Sequence, residues 1–394
     1  MDEEIKEMKQ LMLERRWEEA LTLARALSEK GLSEGEAAMA RLYYHGYGVK
    51  KDEMEAFLLA SRSAGKGNAE GQYLLGEMYM DDREMIPEYK KAFEMFQKSA
   101  LQGNARACMM VGLMYAKGQG TEADGIRAEE WFRKAFLGLK RKEENGEADT
   151  EETGVLGLLY LHGMGTEMDQ PRAIQLFLKS ARLGNDEVQQ TLGQCIIEGQ
   201  GTEKNISRGL EWIRKSAENG NTESQILLGD IYLKGQIVEK DLSEAARWYR
   251  KAAEQGDKVG ESRLGILYFA GLGVEKDKNT GLEWITRAAD HGQASAQWLL
   301  GHFYRRGRGM EVDYEKAGEW FKKAAARHYG KAANSLGDLY KLGLGVEKDR
   351  SKAIEWYKKA LAWGCREAAK NLIELDDHGQ DAGEYLKSLK HTIQ

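Results

Sequence analysis

The pair Leu-Gly, followed three residues on by Tyr, recurs at Leu75-Gly76-Tyr79, Leu156-Gly157-Tyr160, Leu228-Gly229-Tyr232, Leu264-Gly265-Tyr268, Leu300-Gly301-Tyr304 and Leu336-Gly337-Tyr340. Val111-Gly112-Tyr115 and Leu192-Gly193-Ile196 are close variants. The intervals between successive glycines of this set are 36, 45, 36, 36, 36, 36 and 36 residues. Such a period constrains the fold more than any local motif does. A chain of repeated supersecondary units buries its apolar faces by stacking copies instead of enlarging one core. The one nine-residue excess falls in the charged insertion at 139–149, which is expected to be a mobile loop outside the stacked core.

Each period divides into two helical runs joined by a glycine-containing turn. With 2 prolines against 45 glycines in 394 residues, helices punctuated by tight turns are the natural reading. In the second run, Ala245, Trp248, Tyr249, Ala252 and Ala253 recur at spacings of three and four, which places them on one buried face. Asp52, Asp124, Asp169, Asp241, Asp277, Asp313 and Asp349 precede this run, where a short acceptor satisfies free backbone N–H groups. The glycine pairs Gly46/Gly48, Gly163/Gly165, Gly271/Gly273 and Gly343/Gly345 end the first run, since glycine reaches positive φ cheaply. Small residues at Gly229 and Ala245 let the two helices approach, with tyrosine and tryptophan filling the space beside them. The in-phase Trp131, Trp212, Trp248, Trp284, Trp320 and Trp356 are expected to be core rather than a binding ladder. His45 and His162, before the turn glycine, are expected to hydrogen-bond terminal carbonyls.

The reading divides the chain into a capping hairpin at 1–32, nine repeats at 33–365 and capping helices at 366–394. Around Trp17, Ala20 and Gly31 the first hairpin keeps the repeat phase without a glycine pair, and repeat two carries Asp82-Arg-Glu-Met-Ile-Pro87 in place of the glycine turn.

The 36-residue unit, Leu-Gly-x-x-Tyr, then Gly-x-Gly-Val-x-x-Asp, then Ala-x-x-Trp-Tyr-x-Lys-Ala-Ala-x-x-Gly, resembles the Sel-one-like repeat family, relatives of the tetratricopeptide repeat. Gly271 to Asp277, Gly343 to Asp349 and Trp248 to Gly256 are near-complete units. The resemblance implies an all-α, right-handed αα superhelical solenoid of about nine hairpins with terminal caps. It also implies a non-catalytic adaptor that binds a protein or peptide on its concave surface. A bacterial immunity protein neutralising a cognate toxin or effector enzyme is the alternative, and a peptide- or cell-wall-processing enzyme a distant third. The cysteine pairs that staple secreted members of the family are absent.

Other chemistry finds little support. A formal charge of −6 gives no global basic field for nucleic acid. No stretch approaches the ~20 apolar residues of a membrane span, and the opening MDEEIKEMKQ is charged where a secretory signal is apolar, so the cytoplasm is expected. Cys108, Cys195 and Cys365 form neither a disulfide framework nor a zinc motif and read as buried thiols. The Gly-x-Gly turns have helices on both sides, whereas a phosphate loop follows a strand. No H-E-x-x-H or G-x-S-x-G occurs. Neither cofactor nor metal is expected.

By the tetratricopeptide analogy, positions two, five, nine and twelve of each first helix face the partner. The candidate residues are Tyr44, Tyr73, Glu77, Met109, Leu113, Leu158, Gln190, Gln194, Ile226, Asp230, Ile266, Trp298, His302, Arg305, Asn334 and Asp338. With Glu34, Arg41 and Glu70 at one end and Lys331 and Lys341 at the other, the groove grades from acidic through apolar to basic. Position twelve, with Leu161, Ile197, Leu233 and Phe269, fits packing between neighbouring first helices as well as partner contact. Repeat eight, Ala294 to Tyr329, carries seven basic and four acidic residues, which fits a solvated turn more often than an acidic partner. The expected partner is another protein, with neither nucleic acid nor membrane, and a monomer is favoured.

Overall fold

A computed structural model describes residues 2–80 and 88–375, so the Asp82–Pro87 turn and the cap expected beyond Leu375 lie outside the described residues. Among the described residues there are 21 helices and no strand. They fall into two compact units, divided between Asn221 and Thr222. Unit one holds α1 (Asp2–Leu13), α2 (Trp17–Glu29), α3 (Ser33–His45), α4 (Glu53–Gly65), α5 (Ala69–Met80), α6 (Tyr89–Leu101), α7 (Ala105–Lys117), α8 (Gly125–Asn145), α9 (Thr150–His162), α10 (Gln170–Arg182), α11 (Asp186–Glu198) and α12 (Ile206–Glu218). Unit two holds α13 (Thr222–Lys234), α14 (Leu242–Glu254), α15 (Lys258–Ala270), α16 (Lys278–Asp290), α17 (Ala294–Arg306), α18 (Tyr314–Ala326), α19 (Gly330–Leu342), α20 (Arg350–Ala362) and α21 (Glu367–Leu375). Within each unit every helix packs on its neighbours in the chain, which makes an α-solenoid.

The helix ends follow from the residues that occupy them. All seven repeat aspartates are N-caps whose carboxylates accept from backbone N–H groups two or three residues on. The first glycine of each pair ends the first helix in the left-handed region, as Gly271 does at φ 74°, its N–H donating to the Leu267 carbonyl. The second glycine does something else. A Cβ on Gly273 would sit 2.1 Å from the Leu242 carbonyl oxygen, so this glycine lets the turn of one hairpin lie on the start of α14 in the hairpin before it.

Buried polar residues at position four of the first helices tie each first helix either to the end of the second helix of its own hairpin or to the hairpin before it. Gln72 accepts from Gln102 at 2.7 Å, Gln225 from Gln255 at 2.9 Å, and Glu261 meets His291 at 2.9 Å. Gln189 and Gln297 donate back to the Ala181 and Ala289 carbonyls of the preceding hairpin, both at 2.9 Å. Each such bond contributes about 1 kcal/mol net. In unit one the buried Ser63, Ser99, Ser180 and Ser216 add hydroxyl bonds to carbonyls at the start of their own hairpin's first helix.

Three expectations are corrected. The insertion at 139–149 is no loop through most of its length. It lengthens α8 to 21 residues, with Leu139 fully buried, and stops at Gly146, φ 72°. Lys142 to Glu152 at 2.5 Å and Lys179 to Glu143 at 2.8 Å tie the added turns to their neighbours. The repeat tryptophans pack against the core, as expected, but mostly at its edge: Trp131, Trp212, Trp284, Trp320 and Trp356 are half-buried, and only Trp248 of the six is buried. Each indole lies under a cation three residues on, as Lys323 does 3.8 Å from the Trp320 ring centre and Lys134 4.0 Å from that of Trp131. The core position is the residue after the tryptophan, as with Phe321 and Tyr357. Finally, His45 stacks on Tyr47, centroids 5.0 Å apart, while the Gly46 N–H takes the Leu42 carbonyl, and His162 is exposed.

Candidate binding site

In unit two, position five of α17 brings a half-buried Trp298 to the face shared by the first helices. Its Nε1 donates to Ser335 Oγ on α19 at 3.1 Å, and its ring stands edge-on to His302, centroids 4.5 Å apart. Ser335 donates to the Lys331 carbonyl at 3.0 Å, and His302 Nε2 lies 3.3 Å from the serine oxygen. Burial, with Arg305, Arg306 and Arg308 adding to it, pushes the His302 imidazole down to about 4, so the ring is neutral at pH 7. Asp338, at position nine of α19, accepts from the Tyr357 hydroxyl at 2.8 Å and faces Arg305 at 3.6 Å. Asn371 of α21 donates to Asn334 at 2.9 Å. Together Trp298, His302, Lys331, Asn334, Ser335, Asp338 and Glu367 line a recess of about 200 Å³.

The corresponding face of unit one is occupied by its own side chains. Arg41 of α3 reaches Glu151 of α9 at 2.6 Å and Asp149 at 3.4 Å, and Arg106 of α7 reaches the same Glu151 at 2.6 Å and Glu70 at 2.7 Å. Burial alone would raise the Glu151 carboxyl, but Arg41 and Arg106 hold it well below the usual carboxylate range. Tyr73 donates to Glu77 at 2.6 Å and lies beneath Arg106, 4.7 Å from its ring centre. Burial pushes the Glu77 carboxyl up to about 7. The acidic end of the expected gradient is therefore compensated internally, and the Tyr73 ring, 7% exposed, is turned inward.

The predicted residues are thus drawn together in two places: Trp298, His302, Arg305, Asn334 and Asp338 in unit two, and Tyr73 with Glu77 in unit one. Tyr44, Met109, Leu113, Leu158, Gln190 and Gln194 are spread along the first helices of unit one, most of them half-buried. In unit two Ile226 is half-buried and Ile266 exposed, while Asp230 accepts from the buried Tyr249 hydroxyl. At position twelve, Leu161 and Ile197 are buried and Phe269 stacks on Phe303 at 4.7 Å, so packing explains them. Arg106, Ser335 and Glu367 escaped the sequence reading. Ser335 follows Trp298 by one period plus one residue, and Glu70, Arg106 and Glu151 alternate in sign at position two. Either pattern would have revealed the contact.

A family model described as the Sel1 repeat matches residues 33–68, 69–104, 105–137, 155–185, 189–221, 222–257, 259–293, 294–329 and 330–362. Among solved structures, the chain is similar to a protective antigen present in uropathogenic Escherichia coli strains that displays an SLR fold. Identity is 31%, covering 94% of this chain and 78% of that one, with a TM-score of 0.52. It is also similar to a Sel1 repeat protein from Oxalobacter formigenes, at 30% identity over 81% of this chain and 90% of that one, TM-score 0.54. An immunity protein from Pseudomonas aeruginosa aligns at 19% identity over 58% of this chain and 88% of that one, TM-score 0.37. No curated protein matches the sequence at a significant level.

Proposed function

The chain belongs to the Sel1 repeat family, whose members generally mediate protein–protein interactions, and we propose that it is a non-catalytic adaptor that binds a protein or peptide on its first-helix face. The observation that carries this reading is the recess beside Trp298. A half-buried indole beside hydrogen-bonding side chains, with Lys331, Asp338 and Glu367 in the same lining, has the aromatic and polar make-up of an interface hot spot. The recess is shallow and open, which suits a polypeptide segment and offers no enclosed, dry volume for chemistry. No helix among the described residues is long and apolar enough to cross a membrane. We place the adaptor in the cytoplasm, where its three buried thiols stay reduced.

The test is affinity capture from lysate with the wild-type chain and with Trp298→Ala combined with Ile226→Asp, melting curves confirming that both are folded. The double variant is expected to lose the captured proteins. Unchanged recovery of every one of them sinks the reading.

A further inference from the structure

Eight hairpins share one contact between their two helices. The repeat glycine of the first helix lies against the residue twenty positions on in the second (357 − 337), which is Phe, Tyr or Ile, as Gly337 lies against Tyr357 and Gly265 against Ile285. The residue sixteen positions on is always Ala or Gly, as with Ala353 and Gly281. In the hairpin of α3 and α4 the first two positions hold Ala40 and Ala60 instead, and both are fully buried. In α21 the place of the glycine belongs to Ile373, one period after Gly337. Its side chain is 56% exposed, while Leu372 beside it is buried. α21 therefore turns an apolar side chain outward at the position that every earlier first helix buries against its own second helix.

The chain itself supplies an occupant at the matching distance. In the sequence that follows α21, outside the described residues, Gly379 stands one period after the turn glycine Gly343, Leu389 one period after Ala353 and Ile393 one period after Tyr357. Leu386, Leu389 and Ile393 recur at spacings of three and four, the pattern of one apolar helical face. We propose that the segment 386–394 docks on the exposed face of α21, bringing Leu389 and Ile393 against Ile373 as the second half of a further hairpin. Removing Ile373 and its partners from water is the same driving force that stacks the other hairpins. Isoleucine and leucine here, in place of glycine and alanine, hold the segment farther from α21 than the second helices stand from their first helices elsewhere. α21 also supplies Asn371, which donates to Asn334, and Glu367 of the recess lining, so the docked segment steadies one wall of the recess. The docking does not depend on what the recess binds.

Hydrogen–deuterium exchange of the α21 amides in the full chain tests the inference. Leu389→Asp and Ile393→Asp are each expected to speed exchange in α21 about tenfold and to leave the amides of α13 to α18 unchanged. Lys387→Asp, which lies off the apolar spacing, is expected to leave α21 as it was. In a cycle of Ile373→Ala and Ile393→Ala, read by the same exchange, the two effects are expected not to add, because the residues touch. Unchanged α21 exchange in Ile393→Asp overturns the docking, and so does simple additivity in the cycle. An equal effect of Lys387→Asp also overturns it, since added charge would then be the cause. Protection of α21 that rises with protein concentration assigns the face to a second copy of the chain and likewise overturns it.

Discussion

Tyr249 and Tyr357 each bury a phenol ring against the repeat glycine of their own hairpin, Gly229 and Gly337, and each hydroxyl reaches the aspartate that follows that glycine. Where the second helix carries Phe or Ile at this position, the residue after the glycine is not aspartate: Leu113 goes with Phe132, Leu158 with Phe177, Gln194 with Ile213, Ile266 with Ile285 and His302 with Phe321, while Glu77, which goes with Phe96, takes the Tyr73 hydroxyl instead. A buried hydroxyl needs an acceptor, and the acceptor appears where the hydroxyl does. Asp230→Leu should therefore cost about 1–3 kcal/mol by stranding the Tyr249 hydroxyl. Adding Tyr249→Phe should recover most of that loss, because the Leu/Phe pair already serves elsewhere in the chain. A urea double-mutant cycle in which the two losses simply add would refute the pairing. Glu77 makes a second residue-scale case. Its carboxyl is raised from 4.5 to about 7 by burial, so the folded chain holds that proton more tightly than the unfolded one. This contribution to stability is full below about pH 4.5 and is lost as pH rises toward 7. Glu70 and Glu151 run the other way: their folded values are depressed, and the stability they add is present above 4.5 and lost as pH falls below it. Glu77→Gln should thus raise the melting temperature at pH 8 and leave it nearly unchanged at pH 5, and an equal shift at both pH values would show that burial of the charge is not the cause. The period by itself does not give these pairings; they show only when residue identities are compared at matching repeat positions, as with the alternating signs of Glu70, Arg106 and Glu151. Periodicity gives the face a side chain occupies, while the hydroxyl–carboxylate and arginine–glutamate contacts depend on which residue stands opposite.

At the scale of the element, the helices, their caps and the first glycine of each pair could be read directly, because each is decided by residues within a turn of it. The α8 extension could not, since its Lys, Arg and Glu residues look like a solvated loop and are also strong helix formers that continue the preceding helix. Tryptophan and the residue after it share a helical face, so spacing alone could not say which one the hairpin encloses. The second turn glycine was legible as a glycine, but its role as a seat for the preceding hairpin is a contact between elements. That role can be isolated. Gly256→Ala meets nothing within 4 Å at φ 81° and should cost about 1–2 kcal/mol, the strain of a left-handed alanine. Gly273→Ala, at φ 69°, adds a clash with the Leu242 carbonyl and backbone and should cost distinctly more, with loss of packing between the turn and α14. Equal urea midpoints for the two variants would mean that the close approach contributes nothing.

For the whole molecule, the nearest-neighbour picture of a solenoid holds unequally in the two units. In unit two the face shared by the first helices is tied from one hairpin to the next, as by Trp298 to Ser335 and Asn371 to Asn334. In unit one, Arg41 and Glu151 join hairpins 110 residues apart in sequence (151 − 41), and the Arg15 side chain donates to the Leu183 carbonyl from the α1–α2 turn. These ties make that part of the first-helix face of unit one a set of fixed contacts, and they commit Tyr73 and Glu77, of the predicted candidates there, to internal partners. Removing residues 258–293 takes out one hairpin of unit two in register, without any recess residue, and should yield a shorter protein of unchanged helicity per residue. Removing 69–104 from unit one also deletes 36 residues, but it takes Glu70, Tyr73 and Glu77 with it and moves Arg41 out of step with Glu151 by a whole hairpin. Arg106 then keeps Glu151 but loses Glu70, and Arg41 is separated from Glu151; breaking a buried ion pair costs about 3–5 kcal/mol, so this second deletion should lower the unfolding midpoint more than the first. Equal midpoints in circular dichroism melts would mean that unit one, too, is held together only by adjacent hairpins.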